Sequence, residues 1–210
     1  MPISWLVSEP LFFVIWVLAI VTALTVHEFF HGLTAFWQGD QTAKEDGRLT
    51  FNPLHHIDPL GFMMLLFVGF GWAKPVAINP YNLKKGKSSM SLVALAGPLS
   101  NLALVFIFGL LFKFLSPMLG PENLLTNFLF LLTLVNASLF LFNLIPIPPL
   151  DGSRVLLAVI PDKFADFKLN FEKYGPFILL GLLILDGFGS INFFGWLFGG
   201  MLNFLLIFFS

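Results

Sequence analysis

The sequence contains no cysteine and little charge, and each shortage excludes something. Without cysteine there is no disulfide framework, and any metal must be held by histidine, aspartate or glutamate. Charged residues make up 11% of the chain, against about 25% in ordinary soluble domains. With 57% hydrophobic residues and a mean hydropathy of +0.88, the chain reads as an integral membrane protein. A formal net charge of −1 provides no basic face for nucleic acid, and the 28 phenylalanines suit lipid contact better than base stacking. No lysine or arginine precedes Lys44. A cleavable signal peptide needs a basic start, so the first apolar run is expected to stay in the mature protein.

That run extends from about Leu11 to Phe36 and would form roughly 39 Å of helix, enough to cross a bilayer with tilt. A polar region punctuated by proline and glycine follows from Gln38 to about Ser88. It is interrupted by the nine-residue apolar run "FMMLLFVGF", Phe62–Phe70. Nine residues are too few for a helical span and suit a strand or a re-entrant segment, and "RLTFNP" before it alternates as if to pair with it. Ser91 to about Leu115 and Leu124 to about Ile145 are each long enough to cross. "NLIPIPPLDG" (143–152) breaks the second of these, because proline removes backbone donors, and a short helix over Ser153–Ile160 completes the passage. Gly175–Leu185 and Ile191–Phe209 come last, joined by the turn "DGFGS". The expected fold is an all-α polytopic membrane domain over residues 1–210. It has about five transmembrane helices and a small membrane-associated β or re-entrant region after the first helix.

Positive charges orient the loops. Lys44, Arg48, Lys74, Lys84, Lys85 and Lys87 lie between the first two long helices, and Lys163, Lys168 and Lys173 lie after the third. With alternating helices these loops share one side, which the positive-inside rule makes cytoplasmic. "HEFFH" at the end of the first helix and "PPLDG" at the break in the third then lie at similar depth.

In "TVHEFFHGL" (25–33), His27 and His31 are four residues apart, so both imidazoles can point at one ion while Glu28 stands beside them. This is the spacing of zinc proteases with two histidine ligands and a glutamate base. Histidines that line a pore or bond between helices are the plain alternative. Yet an ionised group at mid-helix costs about 2.5–3.5 kcal/mol on insertion scales, which favours a functional partner. Catalytic zinc usually takes three protein ligands and leaves one position open. His55, His56, Asp58, Asp151 and Asp186 are candidates for the third. Asp186 falls in the far hairpin, whereas Asp151 follows the proline-broken turn at the right depth and is the choice.

Five blocks, "HEFFH" (27–31), "NPLHHIDPLG" (52–61), "GWAKPVAINP" (71–80), "AGPLSNL" (96–102) and "NLIPIPPLDG" (143–152), occur in this order. Together the sequence resembles the site-2 protease family of intramembrane zinc metalloproteases, in a compact form without a PDZ or CBS domain. The resemblance implies a three-helix catalytic core (about 10–160) followed by a C-terminal helical pair (about 174–209). It implies zinc on His27, His31 and Asp151, with Glu28 as catalytic base. The expected reaction is hydrolysis of a peptide bond in or near a transmembrane segment of a protein or peptide substrate within the bilayer. Selection would rest with the core or with a separate adaptor protein. Asn143 and His56 are candidate donors to the oxyanion. Asn143 could instead cap the broken helix, and His56 and Asp58 could support ligands or pin the fold. Asn143, Asn52 and Asp58 are candidates for substrate binding. His55 is read as a solvated loop residue. The stretch from Leu49 to Phe70 is where an unwound substrate would add as a strand. Gly97 and Pro98 are assigned to helix packing, and Asn101 could reach the site. A membrane metal-ion transporter using the same His/Asp ligands is the alternative function, and a catalytically silent relative a third.

Overall fold

The computed structural model describes every residue except Met1, Phe70, Pro121, Glu122, Ser190 and Ser210. Phe70 closes the nine-residue apolar run and Ser190 the expected C-terminal turn, so those two positions lie outside the described residues.

Three helices are long and apolar enough to cross a membrane: α1 (Pro10–Trp37), α3 (Lys87–Leu119) and α4 (Leu124–Leu144). Between α1 and α3 lies the short helix α2 (Pro59–Val68). After α4 come α5 (Asp151–Val159), α6 (Ala165–Gly187) and α7 (Phe193–Phe209). The last two stand where two further spans were expected. However, α6 opens on the charged stretch ADFKLNFEKY, and α7 has 17 residues, about 26 Å of helix. Three spans are therefore established by length and composition.

Two lines of small and polar residues bring the spans together. On α1 the buried positions Ile15, Ala19, Ala23, His27, His31 and Ala35 recur every four residues. On α3 Ser89, Val93, Gly97, Asn101, Val105 and Gly109 do the same. Side chains four apart share a helix face. In lipid, where apolar side chains gain little by leaving the bilayer, small residues that allow close backbone approach hold helices together. Leu131 and Leu132 of α4 close on Ile15 and Ala19 of α1. Met201, Leu205 and Phe209 of α7 pack on Val105 and Ala137, with the Phe209 ring lying over Gly109.

The α4–α5 connection is compact. Gly152 sits so close to the Leu144 and Ile145 backbone that a Cβ would collide with it, so α5 can start within seven residues of the end of α4. Leu179 of α6 packs on Ile145 and Leu150 and covers this break.

The region from 38 to 86 corrects one expectation. Of the two readings of this run, strand or re-entrant segment, the strand is excluded over 62–68, since the chain is helical over Pro59–Val68. Asp58 accepts from the Gly61 N–H at 2.8 Å, Pro59 occupies the first turn, and Gly69 at φ 87° ends the helix; these are ordinary start and stop devices. "RLTFNP" does not pair with this run. Asn52 instead caps the turn Pro53–His55 by accepting from Leu54 N–H. Among the described residues the β pairing is one antiparallel bridge, Ile57 with Ala73, reinforced by Lys74 N–H donating to the His56 carbonyl at 2.8 Å.

That bridge belongs to an extended segment, residues 71–79, which is tied down along its length. Arg48 donates to the carbonyls of His55 and Pro75, joining loop and segment. Asp40, fully buried, accepts from Asn79 N–H at 2.7 Å and Asn82 Nδ2 at 3.1 Å, and also from Thr42.

Candidate metal centre

His27 and His31 sit on the buried face of α1, and the α4–α5 break delivers Asp151 opposite them. His27 Nε2 lies 3.1 Å from Asp151 Oδ2, His31 Nε2 lies 3.2 Å from the same oxygen, and the two Nε2 atoms are 3.0 Å apart. Both histidines are buried and the Asp151 side chain is 14% exposed.

Hydrogen-bond partners place a proton on Nδ1 of each ring. His31 Nδ1 is 2.7 Å from the Val93 carbonyl, which can only accept, so Nδ1 holds the hydrogen. His27 Nδ1 is 2.6 Å from Asn101 Oδ1. That amide is oriented by a chain ending in main-chain carbonyls. Asn136 Nδ2 donates to the Leu132 carbonyl at 2.7 Å, and Asn101 Nδ2 donates to Asn136 Oδ1 at 2.8 Å and to the Ala23 carbonyl at 3.3 Å. Asn101 Oδ1 therefore faces His27 as an acceptor, and His27 also keeps its hydrogen on Nδ1. The chain runs α4 to α3 to α1 through two fully buried asparagines.

The consequence tests the fit of a metal. In the neutral rings, the state that ligates a metal, both Nε2 atoms then present lone pairs, and so does the carboxylate. With both rings neutral three acceptors converge, an arrangement that a metal cation among them satisfies. The three edges, 3.0, 3.1 and 3.2 Å, approach the ~3.3 Å edge of a tetrahedron with metal–ligand bonds of ~2.0 Å. Two imidazoles and a carboxylate suit zinc, and each histidine has its second nitrogen anchored as ligand histidines require.

Gly97 makes the room. A Cβ there would lie 2.7 Å from both Cε1 and Nε2 of His27 and closer still to His31 Nε2. Its assignment to helix packing thus understates it, since the imidazoles occupy the space that its missing side chain leaves.

Glu28 lines the same cavity, of about 510 Å³. Its Oε2 accepts from Val76 N–H of the extended segment at 3.0 Å. The apolar walls include Trp72, Leu139, Phe142 and Leu183. Asn143 is also on this wall and donates through Nδ2 to the Leu139 carbonyl at 3.1 Å.

Other expected residues stand apart. His56 is 1% exposed and bonds through Nε2 to the Thr50 carbonyl at 2.9 Å. It lines a neighbouring cavity of about 590 Å³ rather than the metal cavity. Asp58 lines that neighbouring cavity too and caps α2, and Asn52 is exposed and caps its own turn. His55 is exposed, as its reading as a loop residue requires. Sequence reasoning left Asn101 without a definite role and did not single out Asn136. The signal was there, since an asparagine inside an apolar span needs a partner.

Comparison with known proteins agrees with this geometry. The family model "Peptidase family M50" matches residues 118–185, which include Asp151. A Bacillus subtilis protein named "Putative zinc metalloprotease YwhC" is 40% identical over 180 residues, 83% of this chain and 81% of the relative. The similarly named Rip2 of Mycobacterium tuberculosis is 32% identical over 212 aligned positions, 94% of this chain and 78% of the relative. MJ0611 of Methanocaldococcus jannaschii, under the same kind of name, is 32% identical over 158, covering 73% and 77%. No solved structure matches the chain. With relatives this similar over most of their length, and a His/His/Asp centre within three apolar spans, the chain belongs to peptidase family M50, the site-2 proteases, and is a membrane zinc metalloprotease rather than a metal transporter.

Proposed function

We propose that the protein hydrolyses a peptide bond in or beside a transmembrane segment of a membrane protein substrate, with zinc held by His27, His31 and Asp151 and with Glu28 as general base. The observation that carries this reading is the convergence of three ligand atoms beside Glu28 on the wall of one cavity. Zinc, when bound, supplies Lewis acidity to a water and to the scissile carbonyl. Glu28 has one carboxylate oxygen engaged by Val76 N–H, and the other is the one we assign to the attacking water. It takes the proton of the attacking water and returns it to the leaving amine. Asn143 keeps a second amide hydrogen beyond its bond to Leu139, and we assign it as the donor to the developing oxyanion. His56, in the other cavity, holds the loop through Thr50.

A helical substrate hides its peptide groups in its own hydrogen bonds and must unwind first. The extended segment 71–79 borders the metal cavity and offers main chain for strand addition, in place of the stretch Leu49–Phe70. Substrates with glycine or proline near the cut should open most easily. From the loop charges we infer a centre facing the cytoplasmic side of the cytoplasmic membrane, which labelling of a single cysteine introduced at Lys85 in intact cells checks.

The test is cleavage of transmembrane substrates, with and without glycine or proline near the cut, by wild type and Glu28→Gln in liposomes, with bound zinc measured in both. Zinc retained and cleavage reduced by roughly 10²–10⁴-fold, the range expected for loss of an acid–base group, supports the reading. Equal cleavage by the two proteins removes Glu28 as base, and indifference to glycine and proline removes the unwinding step.

A further inference from the structure

The extended segment borders three cavities in sequence. Gly71, Trp72 and Ala73 line both the apolar cavity of about 590 Å³ and the metal cavity. Val76 and Ile78 line both the metal cavity and a third, of about 420 Å³. The third differs in character, with Lys87, Arg154, Lys168 and Glu172 on its wall. A chain lying along the segment would pass from apolar surroundings, over the metal centre, into a cationic groove.

Within that groove the charges are unequally engaged. Lys87 and Lys168 both lean on Asp162, the former in close contact and the latter at 3.4 Å, so much of their charge is matched. Arg154 is exposed and has no hydrogen bond or ion pair among the described residues. Among the described residues it is the one Lys or Arg that lines both the metal cavity and the cationic one. It follows Asp151 by three positions on α5, about 4.5 Å along the axis and on the same side of the helix. A guanidinium pairs with carboxylates through two parallel hydrogen bonds, and in a groove walled by protein such a pair is screened less than at an open surface.

Resting on the proteolytic reading above, we propose that Arg154 is a specificity residue that recognises a carboxylate of the substrate. That carboxylate lies on the polar side of the scissile bond, within roughly one to four residues of it at ~3.3 Å per extended residue. It is either an Asp or Glu side chain or the terminal carboxylate of a shortened substrate.

The experiment uses zinc-loaded protein in liposomes and a cleavable transmembrane substrate carrying Glu, Gln or Lys at each position near the cut. A second set is truncated there with a free or an amidated end. Wild type is expected to cleave one Glu substrate, or the free-carboxyl substrate, about tenfold faster in kcat/KM than its Lys or amidated counterpart. The first outcome identifies a side chain as the carboxylate, and the second a terminus. Arg154→Gln abolishes the preference, Arg154→Lys keeps part of it, and Arg154→Glu reverses it toward Lys, all with bound zinc unchanged. A merely structural arginine would not give that reversal. Cleavage with the same charge preference in wild type and Arg154→Gln overturns the proposal alone. So does an Arg154→Gln defect that follows the anionic lipid content of the vesicle and ignores substrate charge, which would make a headgroup the partner. Absence of wild-type cleavage of every substrate overturns the proteolytic reading and this inference with it.

Discussion

Replacing Gly97 with alanine adds a single methyl group and tests whether the imidazoles of α1 are seated in the groove of α3. The new Cβ would lie 2.7 Å from His27 Cε1 and Nε2, and closer to His31 Nε2. Ordinary carbon contacts are about 3.5–4.0 Å, so each ring would have to retreat by roughly 0.8 Å or more. Metal–ligand distances tolerate only about 0.2 Å. Neither ring can yield by that much and remain a ligand in the same geometry. Alternatively α3 could move away, but it carries the Val93 carbonyl and Asn101 that hold the two Nδ1–H groups. Its retreat would stretch those bonds instead.

Both routes of relief damage the centre, so zinc affinity should fall by at least the ~10–100-fold seen when supporting groups are lost. Activity should fall with it, and overpacking should cost about 1–3 kcal/mol of stability. The assay is competition for zinc with a calibrated chelator, alongside thermal unfolding in detergent. Gly181→Ala is the control, because a Cβ at Gly181 meets nothing within 4 Å; it should bind zinc normally and be as stable as wild type or slightly more so. A Gly97→Ala protein with wild-type zinc affinity and cleavage would refute this account of the groove.

Two further outcomes follow from the polar contacts. Asn101→Leu should weaken zinc binding by ~10–100-fold, measured by the same competition, and Asn136→Leu should do so to a smaller degree because it only orients Asn101; equal wild-type affinities in both would sink the tautomer argument. Burial pushes the Asp40 carboxyl upward, but hydrogen bonds from the Thr42 hydroxyl, Asn79 N–H, Asn82 and Thr42 N–H outweigh it and hold it below the ordinary carboxylate value of 3.8. The folded value being depressed, its contribution is fully present above the unfolded value and is lost as pH falls through the folded one. Asp40→Asn should therefore cost about 1–3 kcal/mol near neutral pH and show a smaller loss of stability than wild type on acidification below pH 4, as read from denaturant midpoints against pH.

The long spans were legible because hydropathy over 20 or more residues admits few other structures. The sequence reading over Leu11–Phe36, Ser91–Leu115 and Leu124–Ile145 falls within a few residues of α1, α3 and α4. The nine-residue run at 62–70 was not, because a short apolar stretch fits a strand as well as a helix. Asp58–Pro59 at its start and Gly69 at its end were the arbiters, and they weigh for helix once read as cap, first-turn proline and left-handed stop. The C-terminal pair shows the opposite limit. Helices form at both places, yet the charged opening of α6 and the shortness of α7 keep them out of the set that length and composition mark as spans.

At the site, legibility followed the kind of group that does the work. His27, Glu28, His31 and Asp151 declare themselves, because ionisable side chains in apolar surroundings are costly without a purpose. Groups acting through the main chain leave no such mark. The N–H that steadies Glu28 belongs to Val76 and the acceptor that fixes His31 is the Val93 carbonyl, and any residue type but proline supplies the first and any at all the second. Asn101 and Asn136 fall between these cases. Each is a polar group whose presence in a span can be noticed, but its task depends on which carbonyl lies at the far end of the chain. Only the fold supplies the fixed ends, Ala23 and Leu132, from which the direction of every hydrogen bond back to His27 follows. Once that direction is set, each ring turns its Nε2 toward Asp151 and the place where a metal would sit.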